Sequence, residues 1–136
     1  ERKIKPYELI DGDVILSCRG TTIKTCVYRK QDSIVIASAN VIVIRPRSNK
    51  ILSDYLKIFF ESPIGLALIK SIQRGTIVIN LNPSDIMEME IPLLIMEEQE
   101  KLVKEYTKEA ALYYQTVSEA EKRFLAEKEK IYNRLV

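Results

Sequence analysis

The chain has 136 residues, 46% of them hydrophobic and 29% charged, and its formal net charge at pH 7 is only +2. This length suits one modest domain, and so small a net charge does not by itself indicate a nucleic-acid binder. Histidine is absent and cysteine occurs only at Cys18 and Cys26, which excludes a His-dependent catalytic triad and the usual zinc ligand sets. We expect both thiols to be reduced and structural, as in the cytoplasm.

The first fifty residues are rich in β-branched residues and turn signals, which predicts strands. The predicted strands cover residues 14–17, 25–28, 33–36 and 40–44. A turn is expected at Asp11-Gly12-Asp13, and Pro46 blocks strand pairing beyond the last of these segments. The paired carboxylates of that turn are interpreted as hydrogen-bonded structure rather than as a catalytic pair.

Two helices are predicted over residues 51–75. Ser53 suits the N-cap of the first helix, Pro63 suits the first position of the second, and Gly75 suits the C-cap of the second. After them the sequence predicts a strand over residues 76–81, a turn at 82–84 and a last short strand over 87–92.

Residues 97–136 lack glycine and proline and are dominated by Glu, Lys, Ala and Leu, which predicts one long helix. Its apolar residues alternate at spacings of three and four, the heptad pattern of a coiled coil. The predicted interface residues are Val103, Tyr106, Ala110, Tyr113, Val117, Ala120, Phe124 and Ile131. The pattern breaks at Glu127 and Arg134. A helix of this length is roughly 60 Å long, so part of it should pack on a helix of a second copy or of another part of the protein.

Four segments, in this order along the chain, resemble stretches of the target-recognition domains of type I restriction–modification specificity subunits. They are residues 9–17 with Arg19-Gly20-Thr21, residues 52–60 with Ser62-Pro63-Ile64-Gly65, residues 73–76 with Ile79-Asn80-Leu81, and Ile91-Pro92-Leu93 with Glu98-Gln99. The sequence departs from the family pattern in two places. Ile23 stands where glycine is usual after the Gly-Thr pair, and Leu94-Ile95-Met96 replaces a second proline.

The resemblance implies an α+β fold: a small, mixed, β-rich recognition domain with two short helices, followed by one long coiled-coil helix. Residues 1–96 would form part of the recognition domain, whose first part is expected upstream of Glu1, and residues 97–136 would form a spacer or dimerisation helix. The loop at residues 17–24 is most similar to versions fused behind an N6-adenine DNA methyltransferase. The chain itself would be non-catalytic, and S-adenosylmethionine would bind to the associated methyltransferase part.

The partners that the resemblance implies are double-stranded DNA, an N6-adenine methyltransferase domain or subunit, and a restriction subunit. A homodimer through the long helix is a further expectation, and the location would be the bacterial cytoplasm. The longest apolar runs are too short to span a bilayer, so no membrane partner is expected.

Two polar, partly basic loops are the candidate DNA contacts, because cationic side chains hold phosphates while Arg and Gln suit base edges. The candidate DNA-binding residues are Arg19, Thr21, Thr22, Lys24, Arg29, Lys30, Gln73, Arg74 and Thr76. Arg45, Arg47 and Lys50 form a third basic cluster of lower rank. Residues 1–96 contain 13 basic and 10 acidic residues, so the small positive excess lies in this part.

A second hypothesis treats the chain as a protein-interaction or oligomerisation module that acts through its coiled coil without binding DNA. The heptads and the low net charge favour it. Catalysis is not expected, because the chain has neither the Asn/Asp-Pro-Pro-aromatic motif of adenine methyltransferases nor a Walker loop.

Overall fold

A computed structural model describes residues 5–17, 22–73 and 80–136 of the chain. Its strands are β1 (Val14–Ser17), β2 (Thr25–Val27) and β3 (Val41–Ile44), and its helices are α1 (Ser53–Glu61), α2 (Pro63–Ile72), α3 (Pro83–Met87) and α4 (Met96–Tyr132). A 3₁₀ turn at Lys5–Tyr7 precedes them. The predicted α+β class is confirmed.

The strands of the described residues form an antiparallel sheet in the order β2-β1-β3. Val14 pairs with Val27 of β2 on one side and with Ile44 of β3 on the other. Val14 and Leu16 are fully buried, whereas the residues between and after them are only half-buried. This alternation places one face of the sheet against the core, as strand geometry requires, and confirms three of the predicted strands to within a residue at each end.

The predicted strand at residues 33–36 is wrong. This segment makes a single isolated antiparallel bridge between Ile36 and Glu8, with a hydrogen bond of 2.9 Å from the amide of Leu9 to the carbonyl of Val35. Ile34 is 71% exposed. The segment therefore gains little apolar burial from extended pairing, and its β-branched composition alone does not make it a strand.

Helices α1 and α2 supply the other half of the core. The buried core residues are Val14, Leu16, Ile42, Leu56, Phe59, Phe60, Ile69, Leu81 and Ile86. The two helices meet at Gly65, where a Cβ atom would lie 2.0 Å from the carbonyl oxygen of Phe59. Only glycine allows this approach. Ser62 caps α2 by accepting a hydrogen bond of 3.1 Å from the amide of Gly65, and Pro63 takes the first helical position as predicted.

The N-cap prediction for α1 is wrong by one residue. Leu52 is the N-cap, without a side-chain cap, and Ser53 is the first helical residue. The hydroxyl of Ser53 instead donates a hydrogen bond of 2.6 Å to the carbonyl of Gly12. Gly12 has a φ of 87°, the left-handed conformation that favours glycine. The turn before β1 is thus tied directly to the start of α1.

The predicted turn at 82–84 and the predicted strand at 87–92 are also wrong. Asn82 is the N-cap of α3, its Oδ1 accepting a hydrogen bond of 3.1 Å from the amide of Ser84, and Pro83 is the first helical residue. This cap and proline combination starts a helix rather than a turn. The helix α3 is therefore a third short helix beyond the two expected. Gly75 and residues 76–79 lie outside the described residues, and Asn80 and Leu81 belong to no strand.

The long helix α4 runs over 37 residues, from one residue before its predicted start. At 1.5 Å per residue it is about 55 Å long. The chain divides into two compact units, Glu1–Glu100 and Lys101–Val136, so the first turn of α4 belongs to the first unit. Among the described residues, no helix combines the length and the apolar character needed to cross a bilayer.

Candidate nucleic-acid interface

The connection between β1 and β2 carries four of the predicted DNA-binding residues. A hydrogen bond of 2.9 Å from the amide of Ser17 to the carbonyl of Lys24 closes the base of this connection. The side chains of Thr22 and Lys24 are exposed, and Lys24 has no ion-pair partner among the described residues. Ile23, between them, packs against the core. The backbone at Ile23 and Lys24 is therefore held in place while the side chain of Lys24 faces solvent.

Two of those four residues, Arg19 and Thr21, lie outside the described residues. The same is true of Arg74 and Thr76 in the segment after α2. Their role in DNA contact stays a prediction.

Arg29 and Lys30 lie at the opposite end of the hairpin from Lys24. The amide of Tyr28 donates to the carbonyl of Asp13 at 2.7 Å, and the amide of Lys30 donates to the carboxylate of Asp11 at 2.8 Å. The strand path from Lys24 to Tyr28 covers about 13 Å at the usual rise per residue. The structure therefore does not bring Arg29 and Lys30 close to Lys24.

Arg29 also has a structural partner. Its guanidinium forms an ion pair with Asp54 in the first turn of α1, with side chains that are 58% and 42% exposed. Surface pairs of this kind contribute about 0–1 kcal/mol to stability. The pair lowers the net positive charge that this end of the sheet offers to an anion. The amine of Lys30 has no ion-pair partner among the described residues.

Gln73 stands directly after α2 as its C-cap residue. Its amide donates a hydrogen bond of 3.3 Å to the carbonyl of Lys70, and the residue is half-buried. Gln73 thus marks the point where the predicted second DNA-contacting loop leaves the helix.

The guanidinium of Arg45, from the lower-ranked basic cluster, makes hydrogen bonds within the fold. Its Nε and Nη2 atoms each lie 2.7 Å from an oxygen of Asp13, whose side chain is only 1% exposed. Arg45 also donates to the carbonyl of Glu8 at 3.2 Å, and Asp13 accepts from the amide of Ile10 at 2.8 Å. The interpretation of the Asp11–Asp13 turn as hydrogen-bonded structure is confirmed.

This environment shifts the pKa of both partners. Burial raises the pKa of Asp13, but the hydrogen bond from Arg45, the amide of Ile10 and the positive charge of Arg45 together outweigh it, so the pKa is lowered. The hydrogen bond to Asp13 raises the pKa of Arg45 despite some desolvation. Both groups are therefore charged at neutral pH, and Asp13 is a poor candidate for a catalytic acid.

Gln99 is a fully buried polar residue that sequence reasoning did not single out. Its Oε1 accepts from the amide of Leu52 at 2.9 Å, and its Nε2 donates to the carbonyls of Lys50 and Leu94 at 2.8 and 2.7 Å. The side-chain amide thereby joins the first turn of α4 to the segment that leads into α1. The Glu98-Gln99 pair of the family resemblance was the available signal.

The eight predicted interface residues of the coiled coil all lie in α4. Five of them, Tyr106, Tyr113, Val117, Phe124 and Ile131, are between 38% and 65% exposed. Val103 and Ala110 are half-buried and Ala120 is exposed. The helix is present as predicted, and its pairing with another helix stays a prediction.

Within the described residues, no group of three or more cysteine or acidic side chains is arranged to hold a metal ion. One open groove of about 590 Å³ lies between residues 6–9, residues 36–39 and β3. Its charged lining residues are Glu8 and Arg45, and Arg45 is already paired. The groove offers no convergent set of reactive side chains.

Comparison with known proteins gives one family. A family model described as the type I restriction modification DNA specificity domain matches residues 1–108. No curated protein matched the chain.

Proposed function

Because the chain belongs to the type I restriction modification DNA specificity domain family, we propose that the β1–β2 connection contacts double-stranded DNA and that α4 is a spacer and docking strut. Domains of this family recognise DNA sequence for a type I restriction–modification system and are non-catalytic. Their partners are DNA and the methyltransferase and restriction subunits. We further propose that residues 1–96 act as the recognition part and 97–136 as the strut.

One observation supports the choice of the β1–β2 end. The amide of Ser17 donates to the carbonyl of Lys24, and the side chain of Lys24 is exposed without an ion-pair partner among the described residues. Because the backbone at Lys24 is held by this hydrogen bond and its side chain has no ion pair to break, a phosphate would have to order only the Lys24 side chain at this position. At the opposite end, the guanidinium of Arg29 is paired with Asp54. The backbone amide of Lys30 donates to the carboxylate of Asp11, which places a negative charge beside this residue.

The segment after α2 is proposed as the second contact region. Gln73 opens it, and Arg74 and Thr76 follow in the sequence. Side chains of these types bind guanine and adenine edges as well as phosphates. The adenine methyl transfer, and the S-adenosylmethionine that it consumes, would belong to an N6-adenine methyltransferase subunit or fused domain associated with this chain.

The experiment compares Lys24→Gln with Lys30→Gln, two charge-neutralising variants at opposite ends of the hairpin. Binding to a pool of random 30-base-pair duplexes is measured by fluorescence anisotropy at several salt concentrations. Loss of one phosphate contact reduces the slope of log K against log salt by about 1. We expect this reduction for Lys24→Gln and an unchanged slope for Lys30→Gln. The reverse result would move the interface to the other end of the sheet.

The oligomerisation hypothesis makes a different prediction for the same experiment. A module that acts only through its helix would bind the duplexes weakly and equally in the wild type and in both variants.

A further inference from the structure

The turn before β3 lies at the same end of the sheet as the β1–β2 connection. Ser17, the last residue of β1, pairs with Val41, the first residue of β3. On its other side, the amide of Ser17 donates to the carbonyl of Lys24 at 2.9 Å. Lys24 and Val41 are therefore the neighbours of Ser17 on opposite sides, and Asn40 directly precedes Val41. Asn40 was not among the predicted DNA contacts.

The spacing of the strands sets the distance between Lys24 and this turn. Adjacent strands lie about 4.8 Å apart, so the backbones at Lys24 and Val41 are separated by about 10 Å across β1. The major groove of DNA is about 12 Å wide. A phosphate at the edge of the groove and a base edge inside it lie less than this width apart. Lys24 and Asn40 are therefore close enough to contact one major groove together.

The backbone of the turn is held by two hydrogen bonds to Ser38. The amide of Val41 donates to the carbonyl of Ser38 at 3.4 Å, and the amide of Asn40 donates to its hydroxyl at 3.3 Å. All three residues of the turn, 38–40, are exposed. A DNA ligand therefore meets a turn whose backbone is already restrained, so that binding has to order fewer groups.

The side chain of asparagine suits one base in particular. Its amide carries a carbonyl acceptor beside an NH₂ donor. Adenine presents the matching pair in the major groove, an N6 donor beside an N7 acceptor, and no other base does so. Lysine instead binds a phosphate as a point charge. Asn40 and Lys24 thus have the chemistry for one contact that specifies a base and one that positions the protein.

We propose that Asn40 recognises an adenine in the major groove while Lys24 holds a phosphate at the edge of the same groove. The inference rests on the proposed function and names a specificity-determining residue for it. Asn49 offers a matched control. It has the same side chain and is also exposed, but it follows the opposite end of β3 and lines a separate groove with residues 93–96.

Base substitution in a selected duplex tests the proposal. The full chain is bound, with fluorescence anisotropy as the readout, to the duplex that the wild type enriches from a random pool. Each A·T pair of that duplex is then changed in turn to G·C. At one A·T pair the change should weaken wild-type binding about tenfold, as expected for loss of one bidentate contact. Asn40→Ala should bind the two duplexes equally and keep the wild-type salt slope. Asn49→Ala should behave as the wild type.

Asn40→Asp provides a result that a folding defect cannot imitate. A carboxylate accepts a hydrogen bond from the N4 amine of cytosine. This variant should therefore prefer a C·G pair at the position where the wild type prefers A·T. Lys24→Gln should show the opposite behaviour, with a reduced salt slope and unchanged base preferences.

Two results would overturn the inference while leaving DNA recognition intact. One is an Asn40→Ala variant that discriminates at every A·T pair as the wild type does. The other is uniform weakening on all duplexes, which would indicate that Asn40 only shapes the turn. A wild-type chain that binds every duplex equally would instead contradict the proposed function, and the inference with it.

Discussion

Replacing Gln99 with glutamate tests the connection between α4 and the rest of the first unit. The wild-type amide makes three hydrogen bonds of 2.7–2.9 Å and is 0% exposed. Glutamate has nearly the same shape and still accepts from the amide of Leu52. It also turns a carboxylate oxygen toward the carbonyls of Lys50 and Leu94, which both lose their donor. An uncompensated buried charge of this kind costs about 3–5 kcal/mol.

The pH dependence of this variant distinguishes the charge from a simple packing defect. Burial among carbonyl oxygens should raise the pKa of the introduced carboxyl above its unfolded value of about 4.3. The free-energy penalty is then complete above the folded pKa and shrinks as the pH falls through it. The difference in unfolding free energy between wild type and variant should therefore narrow from pH 8 to pH 5.

Urea unfolding followed by circular dichroism measures that difference at each pH. Glu98→Gln and Glu100→Gln, on the same helical turn but exposed, are the matched controls and should shift stability by less than about 0.5 kcal/mol. A Gln99→Glu variant as stable as wild type at pH 8 would refute the reasoning. A penalty that does not change with pH would refute the electrostatic part of it.

Two other substitutions test the core and the buried ion pair. Gly65→Ala should lower the unfolding free energy by about 3 kcal/mol or more, because its Cβ would lie 2.0 Å from the carbonyl oxygen of Phe59. Ala67→Gly, exposed on the same helix, is the control and should cost about 1 kcal/mol. Thermal melts that rank the two variants in the opposite order would contradict the close helix contact. Asp13→Asn should cost about 2–3 kcal/mol at pH 7 by removing the charge that Arg45 binds. Since the folded pKa of Asp13 lies below the ordinary 3.8, this deficit should be complete above that value and should narrow as the pH falls below it; a deficit independent of pH would contradict the assignment.

Elements with a strong periodic signal could be predicted from the sequence. The long helix follows from four heptads without glycine or proline, and its observed start differs from the predicted one by a single residue. The strands β1, β2 and β3 follow from β-branched runs bounded by turn residues. In each case the local pattern agrees with the burial that the tertiary structure provides.

Other features depended on contacts between residues far apart in the chain. Ser53 has the right chemistry for an N-cap, but its hydroxyl donates a hydrogen bond to the carbonyl of Gly12, 41 positions away. Arg45 resembled a surface cation until Asp13, 32 positions away, proved to be its buried partner. Asn82 was different, because its signal for a helix start was local and was misinterpreted as a turn.

The candidate interface could be predicted only in part. The sequence correctly indicated exposed polar side chains at Thr22, Lys24 and Lys30. The predicted strand at residues 25–28 already separated Lys24 from Lys30. The sequence did not indicate that Arg29 pairs with Asp54, because that contact joins residues 25 positions apart. Arg19 and Arg74 lie outside the described residues, and their DNA contacts stay predictions.

The central claim is that this chain recognises DNA by sequence, and selection from a random duplex pool tests it most directly. Repeated rounds of binding and amplification with the wild-type chain, sequenced at each round, should enrich a shared set of bases that Lys24→Gln enriches less efficiently. A protein that retains duplexes through charge alone would leave the pool without any common sequence after many rounds, and that result would contradict the account.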